Sequence, residues 1–93
     1  MESPLATPDI ATEAHVDLEE PVGVILYNDD VNTFEYVTFV LKRVLKVTSV
    51  VAEALMLTVH TAGSAELKRC ARNEAEALVM ELSRYSLLAQ VEG

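Results

Sequence analysis

The sequence predicts an α+β fold in which three helices pack with a small three-stranded antiparallel sheet, in the order β-α-α-β-α-β. Three observations predict it. Apolar stretches at 22–27 and 86–91 and an alternating stretch at 64–71 read as strands. The intervening segments carry apolar residues at helical spacing. Two Asn-x-x-Glu pairs, Asn32 with Glu35 and Asn73 with Glu76, read as helix starts, and Gly63 reads as a helix stop.

The chain has 93 residues, 51% of them apolar, which is enough for one core and one domain. Its folded part begins near Pro21. Residues 22–27 (VGVILY) are β-branched and apolar, as a buried strand requires. Asn28-Asp29-Asp30 reads as a turn, because these side chains bond their own backbone. The first helix then presents Phe34, Val37, Leu41, Val44 and Leu45 on one face, with Lys42, Arg43 and Lys46 where the helix dipole favours cations. A second helix opens at Thr48 or Ser49. Val51, Leu55, Thr58 and Val59 form one stripe along it, and Met56, Val59 and His60 an adjacent one. The third helix runs through Ala75, Leu78, Val79 and Leu82, and residues 86–91 (SLLAQV) make the last strand.

Charge divides the chain. Net charge is −8, and residues 1–20 supply −6 of it through Glu2, Asp9, Glu13, Asp17, Glu19 and Glu20, with no Lys or Arg. Pro4 and Pro8 interrupt any helix there and no apolar period appears, so this segment is expected to be a flexible acidic tail ahead of a binding core at 21–93. Phosphate binding needs clustered cations that the chain lacks, which argues against nucleic acid. An acidic protein suits a cationic partner, and a free amino terminus is one. The single cysteine, Cys70, permits no disulfide framework; with no secretory signal and no apolar run of membrane-spanning length, the expectation is cytoplasmic, without membrane association.

The inventory for catalysis is thin. There is no Gly-rich phosphate loop, no Cys-x-x-Cys, no His-Glu-x-x-His and no Gly-x-Ser-x-Gly. Cys70 lies on a strand among charged neighbours, where a half-buried structural thiol is the ordinary occupant. The polar groups that stand out are Asn28, Asp29, Asp30 and His60. The first three are turn residues that are also able to cap a helix, bind a metal or hold a cation; His60, near a helix end, is ordinarily satisfied by the last carbonyls and the dipole. Three groups fall short of a supported zinc site, and neither metal nor cofactor is expected.

Residues 24–37 (VILYNDDVNTFEYV), 54–63 (ALMLTVHTAG) and 74–76 (EAE) resemble the ClpS adaptor family across residues 21–93. That family combines an apolar strand, Asn-Asp-Asp, a Glu-aromatic-Val helix start and a later Met-x-x-Val-His-x-x-Gly helix end. The resemblance implies an N-degron adaptor, not an enzyme. Such a protein captures chains by their N-terminal residue and hands them to the N-domain of a ClpA/ClpC-type AAA+ unfoldase; it is expected to act as a monomer. By resemblance, Asn28, Asp29 and His60 hold the α-amino group, with Asp30 close by. Met56, Val59, Val37 and Leu87 wall the pocket for the first side chain. Phe34 stands where the family usually has Met at the pocket mouth, and Asn32 where it usually has Thr.

The chemistry is sensible. A terminal ammonium is a compact cation with three donors, which a carboxylate, an amide carbonyl and a neutral imidazole accept. One charge-assisted hydrogen bond is worth roughly 1.5–3 kcal/mol, and burial of one bulky apolar side chain about as much, which suits micromolar, reversible capture. Phe34, stiffer and bulkier than Met, is expected to narrow the pocket. Asn73 and Leu78 occupy the positions where the family usually places a Glu and a Lys toward the unfoldase, and Tyr85-Ser86 replaces the His-Pro before the paired leucines. These departures read as those of a divergent paralogue, with peptide capture better supported than unfoldase contact. Two other readings stand beside this one: an interaction module resembling the ribosomal-stalk C-terminal domain, and a metal-dependent hydrolase using Asp29, Asp30 and His60.

Overall fold

The computed structural model describes residues 20–93. In chain order these form β1 (Val22–Tyr27), α1 (Phe34–Leu45), α2 (Ser49–Ala62), β2 (Ser64–Cys70), α3 (Arg72–Arg84) and β3 (Ala89–Glu92). The predicted element order and fold class are both found. The expected tail lies, apart from Glu20, outside the described residues.

β1 is the central strand of a sheet ordered β2-β1-β3, antiparallel on both sides. Its register pairs Val22 with Cys70 and Tyr27 with Ser64 on one edge, and Gly23 with Glu92 and Leu26 with Ala89 on the other. Val22, Val24 and Leu26 are buried while Ile25 and Tyr27 are half-buried, the two-residue period of a sheet covered mainly on one face. That face carries the core, with Val40 and Leu41 of α1, Ala52, Met56 and Val59 of α2, Ala75 and Leu82 of α3, and Leu87. Helix α1 packs on α2, α2 on β2, and α3 on β1 and β3.

The helix boundaries correct three expectations. Asn32 does not cap α1: Thr33 does, its Oγ1 accepting the Tyr36 N–H at 3.0 Å. Asn32 is instead drawn into the preceding turn. Asn73 lies inside α3, whose N-cap, Ala71, has no side chain to offer. One residue joins β2 to α3, so packing of Ala75 and Leu82 sets the helix rather than a capping box. The last strand begins at Ala89, not at residue 86. Ser86 has φ 66°, its N–H donates to Ser83 C=O, and Leu87 N–H donates to Leu82 C=O. This is a Schellman termination with Ser in the place usually given to Gly, and Leu87 packs into the core as its hydrophobic partner.

In α2 the inward stripe is Ala52, Met56 and Val59; Val51, Thr58 and His60 face outward. Cys70 is buried, and burial pushes its thiol pKa up, which suits a core side chain rather than a nucleophile. Among the described residues no helix is long and apolar enough to cross a membrane.

Candidate functional site

The site forms where β1 runs out. Tyr27 N–H donates to Leu88 C=O at 2.9 Å, and Asn28 N–H donates to Gly63 C=O at 3.0 Å. The start of the Asn-Asp turn is thereby tied to the chain entering β3 and to the end of α2. Gly63 makes this possible: at φ 91° it stops α2, its N–H donating to Val59 C=O, and leaves its carbonyl free for Asn28.

Asp29 organises the turn. Its Oδ1 accepts the N–H groups of Val31 at 2.8 Å and Asn32 at 2.7 Å, and its Oδ2 accepts Asn32 Nδ2 at 3.2 Å. The Asn32 N–H, foremost among these bonds, holds the Asp29 carboxyl below its ordinary pKa, against a smaller opposing effect of burial. Asp29 is therefore a fixed anion with acceptor capacity still to spare. Asn32 Nδ2 also donates to Ser86 C=O at 3.0 Å, fastening the turn to the end of α3. Tyr36 Oη does the same one residue earlier, donating to Tyr85 C=O at 2.9 Å. Asn28 and Asp30 are exposed.

His60 lies one turn before Gly63. Its exposed ring meets Phe34 edge to face, with centroids 6.5 Å apart and planes at 82°. The imidazole thus stands beside the first residue of α1, only five positions after Asp29. Behind the turn, Tyr27, Asn28, Asp29, Asn32, Val37, Met56 and Val59 line a hollow of about 10 Å³, barely the space one water needs. Six of these seven side chains were candidates on sequence; Tyr27 was missed, though its place as the last residue of β1, directly before the Asn-Asp turn, was a usable signal. Phe34 does not line the hollow. It walls a larger surface groove between α1 and α2. Leu87 is buried in the core.

The remaining candidates lie elsewhere. Asn73 is exposed on the first turn of α3, and Leu78 lines a separate groove of about 330 Å³ with Val44, Leu45 and Lys46 of the α1 end. An exposed Lys68–Glu74 ion pair of 2.9 Å borders it. Among the described residues no three His, Cys, Asp or Glu side chains come together as metal ligands would.

Comparison with known proteins places the chain as a whole. The family model described as "ATP-dependent Clp protease adaptor protein ClpS" matches residues 17–90. The ATP-dependent Clp protease adapter protein ClpS of Corynebacterium glutamicum (strain R) is 35% identical over 92 residues, covering 97% of this chain and 92% of the relative. That of Nitratidesulfovibrio vulgaris is 41% identical over 58 residues, covering 62% of this chain and 56% of the relative. The structure of Agrobacterium tumefaciens ClpS2 bound to L-phenylalaninamide is similar with a TM-score of 0.73 at 33% identity, covering 78% of this chain and 95% of that one. The fold is that of an adaptor of an ATP-dependent protease. The chain belongs to the ClpS family.

Proposed function

We propose that this chain captures proteins by a free N-terminal residue with a bulky apolar side chain and delivers them to a ClpA/ClpC-type AAA+ unfoldase. One observation carries the reading: Asn28 and an ionised Asp29 line a hollow walled by Val37, Met56 and Val59, while the His60 ring stands against Phe34 at the start of α1. L-phenylalaninamide, the ligand of the similar ClpS2, combines a free α-amino group with an apolar aromatic side chain, the two features such a rim and hollow select.

Asn28, Asp29 and His60 accept the ammonium, with Asp30 adding negative potential. Val37, Met56, Val59 and Leu87 serve the apolar side chain, and Phe34 with Asn32 shapes the entrance. A hollow of about 10 Å³ is far below the roughly 150 Å³ that accommodates a benzene ring, so capture requires a wall to move. Met56 is the wall suited to it, being unbranched and adaptable. Asn73 and Leu78 mark the face turned to the unfoldase N-domain, and residues 1–20 assist delivery as a tail on the 21–93 core. The protein works as a cytoplasmic monomer without a cofactor.

Fluorescence anisotropy with peptides beginning in Leu, Phe, Tyr, Trp, Met and Arg, each paired with its N-acetylated form, tests this. Binding of bulky apolar N-termini that acetylation removes is the expected result. Equal affinity for free and acetylated peptides overturns the proposal.

A further inference from the structure

Charge is divided between the two ends of the core. The Asn-Asp turn marks one end. At the other, where β1 begins beside Cys70, stand five of the chain's seven Lys and Arg residues. They are Arg43 and Lys46 at the end of α1, Lys68 and Arg69 at the end of β2, and Arg72 at the start of α3. The groove of about 330 Å³ between α1 and α3 opens at this end. We propose that residues 16–19 of the same chain dock in this groove.

The point of exit comes first. Pro21, the last residue before β1, is fixed at this end, its C=O accepting Arg69 Nη2 at 3.0 Å. Glu19 is two residues from that anchor and Val16 five, within about 7–18 Å of chain. Lys68, next to Arg69, already lines the groove. The side-chain pattern agrees. Val16-Asp17-Leu18-Glu19 alternates apolar and acidic residues, which an extended segment presents on two faces. The groove offers half-buried Val44, Leu45 and Leu78 to the apolar face, and Lys46 and Lys68 to the acidic one. Charge complementarity names the occupant. Residues 1–19 hold five carboxylates and no Lys or Arg. Among the described residues Lys68 meets Glu74 and Arg69 meets Glu66, while Arg43, Lys46 and Arg72 meet no carboxylate. Helix α3 adds backbone donors at the same end. Its N-cap, Ala71, supplies no side-chain acceptor, so its first N–H groups and the positive end of its dipole favour an incoming carboxylate. The docked segment covers Leu78, read above as turned to the unfoldase; that consequence rests on the delivery reading.

The test uses the full chain with Thr12→Cys carrying a nitroxide label, Cys70 being shielded by burial, and reads the loss of amide signals by NMR. At about 0.01 M salt, where the Debye length is about 30 Å, the signals of Leu45, Lys46, Ala77 and Leu78 should lose most of their intensity. At about 1 M, with a Debye length of about 3 Å, most of it should return. V16S/L18S and D17N/E19Q should each restore the signals at low salt. Equal loss across the molecule, or loss that neither pair of substitutions relieves, overturns the proposal. Mixing the labelled chain with an isotope-enriched, unlabelled one separates a second copy. Loss carried between chains assigns the groove to that copy's tail and overturns docking within one chain. Adding the N-domain of a ClpA/ClpC-type unfoldase should also restore the signals. Signals still lost at saturating N-domain overturn the shared groove. An N-domain that binds neither the wild type nor V16S/L18S overturns the delivery reading and not the docked tail.

Discussion

Thr38→Val isolates a cost that the fold carries. Thr38 sits on α1 between the core residues Val37 and Val40, 9% exposed, and its Oγ1 has no hydrogen-bond partner among the described residues. A hydroxyl taken from water without a replacement bond destabilises a protein by about 1–3 kcal/mol. Valine has nearly the same shape, and the helix propensities of the two residues are close, so packing and propensity terms largely cancel. The variant should therefore gain about 1–2 kcal/mol. In a domain of this size each kcal/mol moves the Tm by about 4–8 °C, so a rise of about 5–15 °C is expected. Thermal melts by circular dichroism, with urea titrations to verify an unchanged m-value, provide the assay. A Tm equal to or below that of the wild type refutes the reasoning, since it means the hydroxyl finds a partner in solution, such as the carbonyl one turn back.

Three further outcomes follow from the geometry. Asp29→Ala removes the acceptor of the turn and should cost about 1 kcal/mol at neutral pH. Since the folded-state carboxyl lies below its ordinary 3.8, its contribution is present above that value and lost as pH falls through the folded pKa. Urea melts at pH 7 and near pH 2 should show the wild-type advantage shrinking with acid; an advantage that grows contradicts the depressed pKa. Gly63→Ala meets no neighbour within 4 Å but must hold φ 91°, so about 1 kcal/mol is expected from backbone strain alone. A chemical melt checks it, and N-terminal capture should weaken as the α2 end shifts from Asn28. Leu82→Ala, at a fully buried side chain linking α3 to the sheet and to Leu87, should cost about 2–5 kcal/mol in the same assay; a loss below 1 kcal/mol refutes its place in the core.

Local chemistry was legible in the sequence wherever it dominates structure. The strand at 22–27, the Asn-Asp turn, the stop at Gly63 and the three helices all arise from interactions within a few residues, and each is found in place, although Phe34 of the expected α1 face and Val51, Thr58 and His60 of the expected α2 stripes face outward. The misreadings occurred where two partners compete for one group. Asn32 looks like a cap, but Asp29 and the Ser86 carbonyl claim its side chain, leaving the cap to Thr33. Ser86 and Leu87 look like strand, but six-residue helix-end bonding and burial of Leu87 take them, with no glycine to announce it.

Element order, fold class and the polar candidates of the turn were thus determined by the sequence itself, because periodicity and turn chemistry are short-range; the apolar wall candidates came from the family resemblance. Tertiary structure alone decided that Gly63 would hold Asn28, that the His60 ring would stand against Phe34, and that the hollow behind them would be nearly closed. The groove lined by Glu35 and Glu53 was likewise settled only when α1 lay along α2. These features depend on residues dozens of positions apart meeting through the packing of a shared core, and no local pattern records where such surfaces meet.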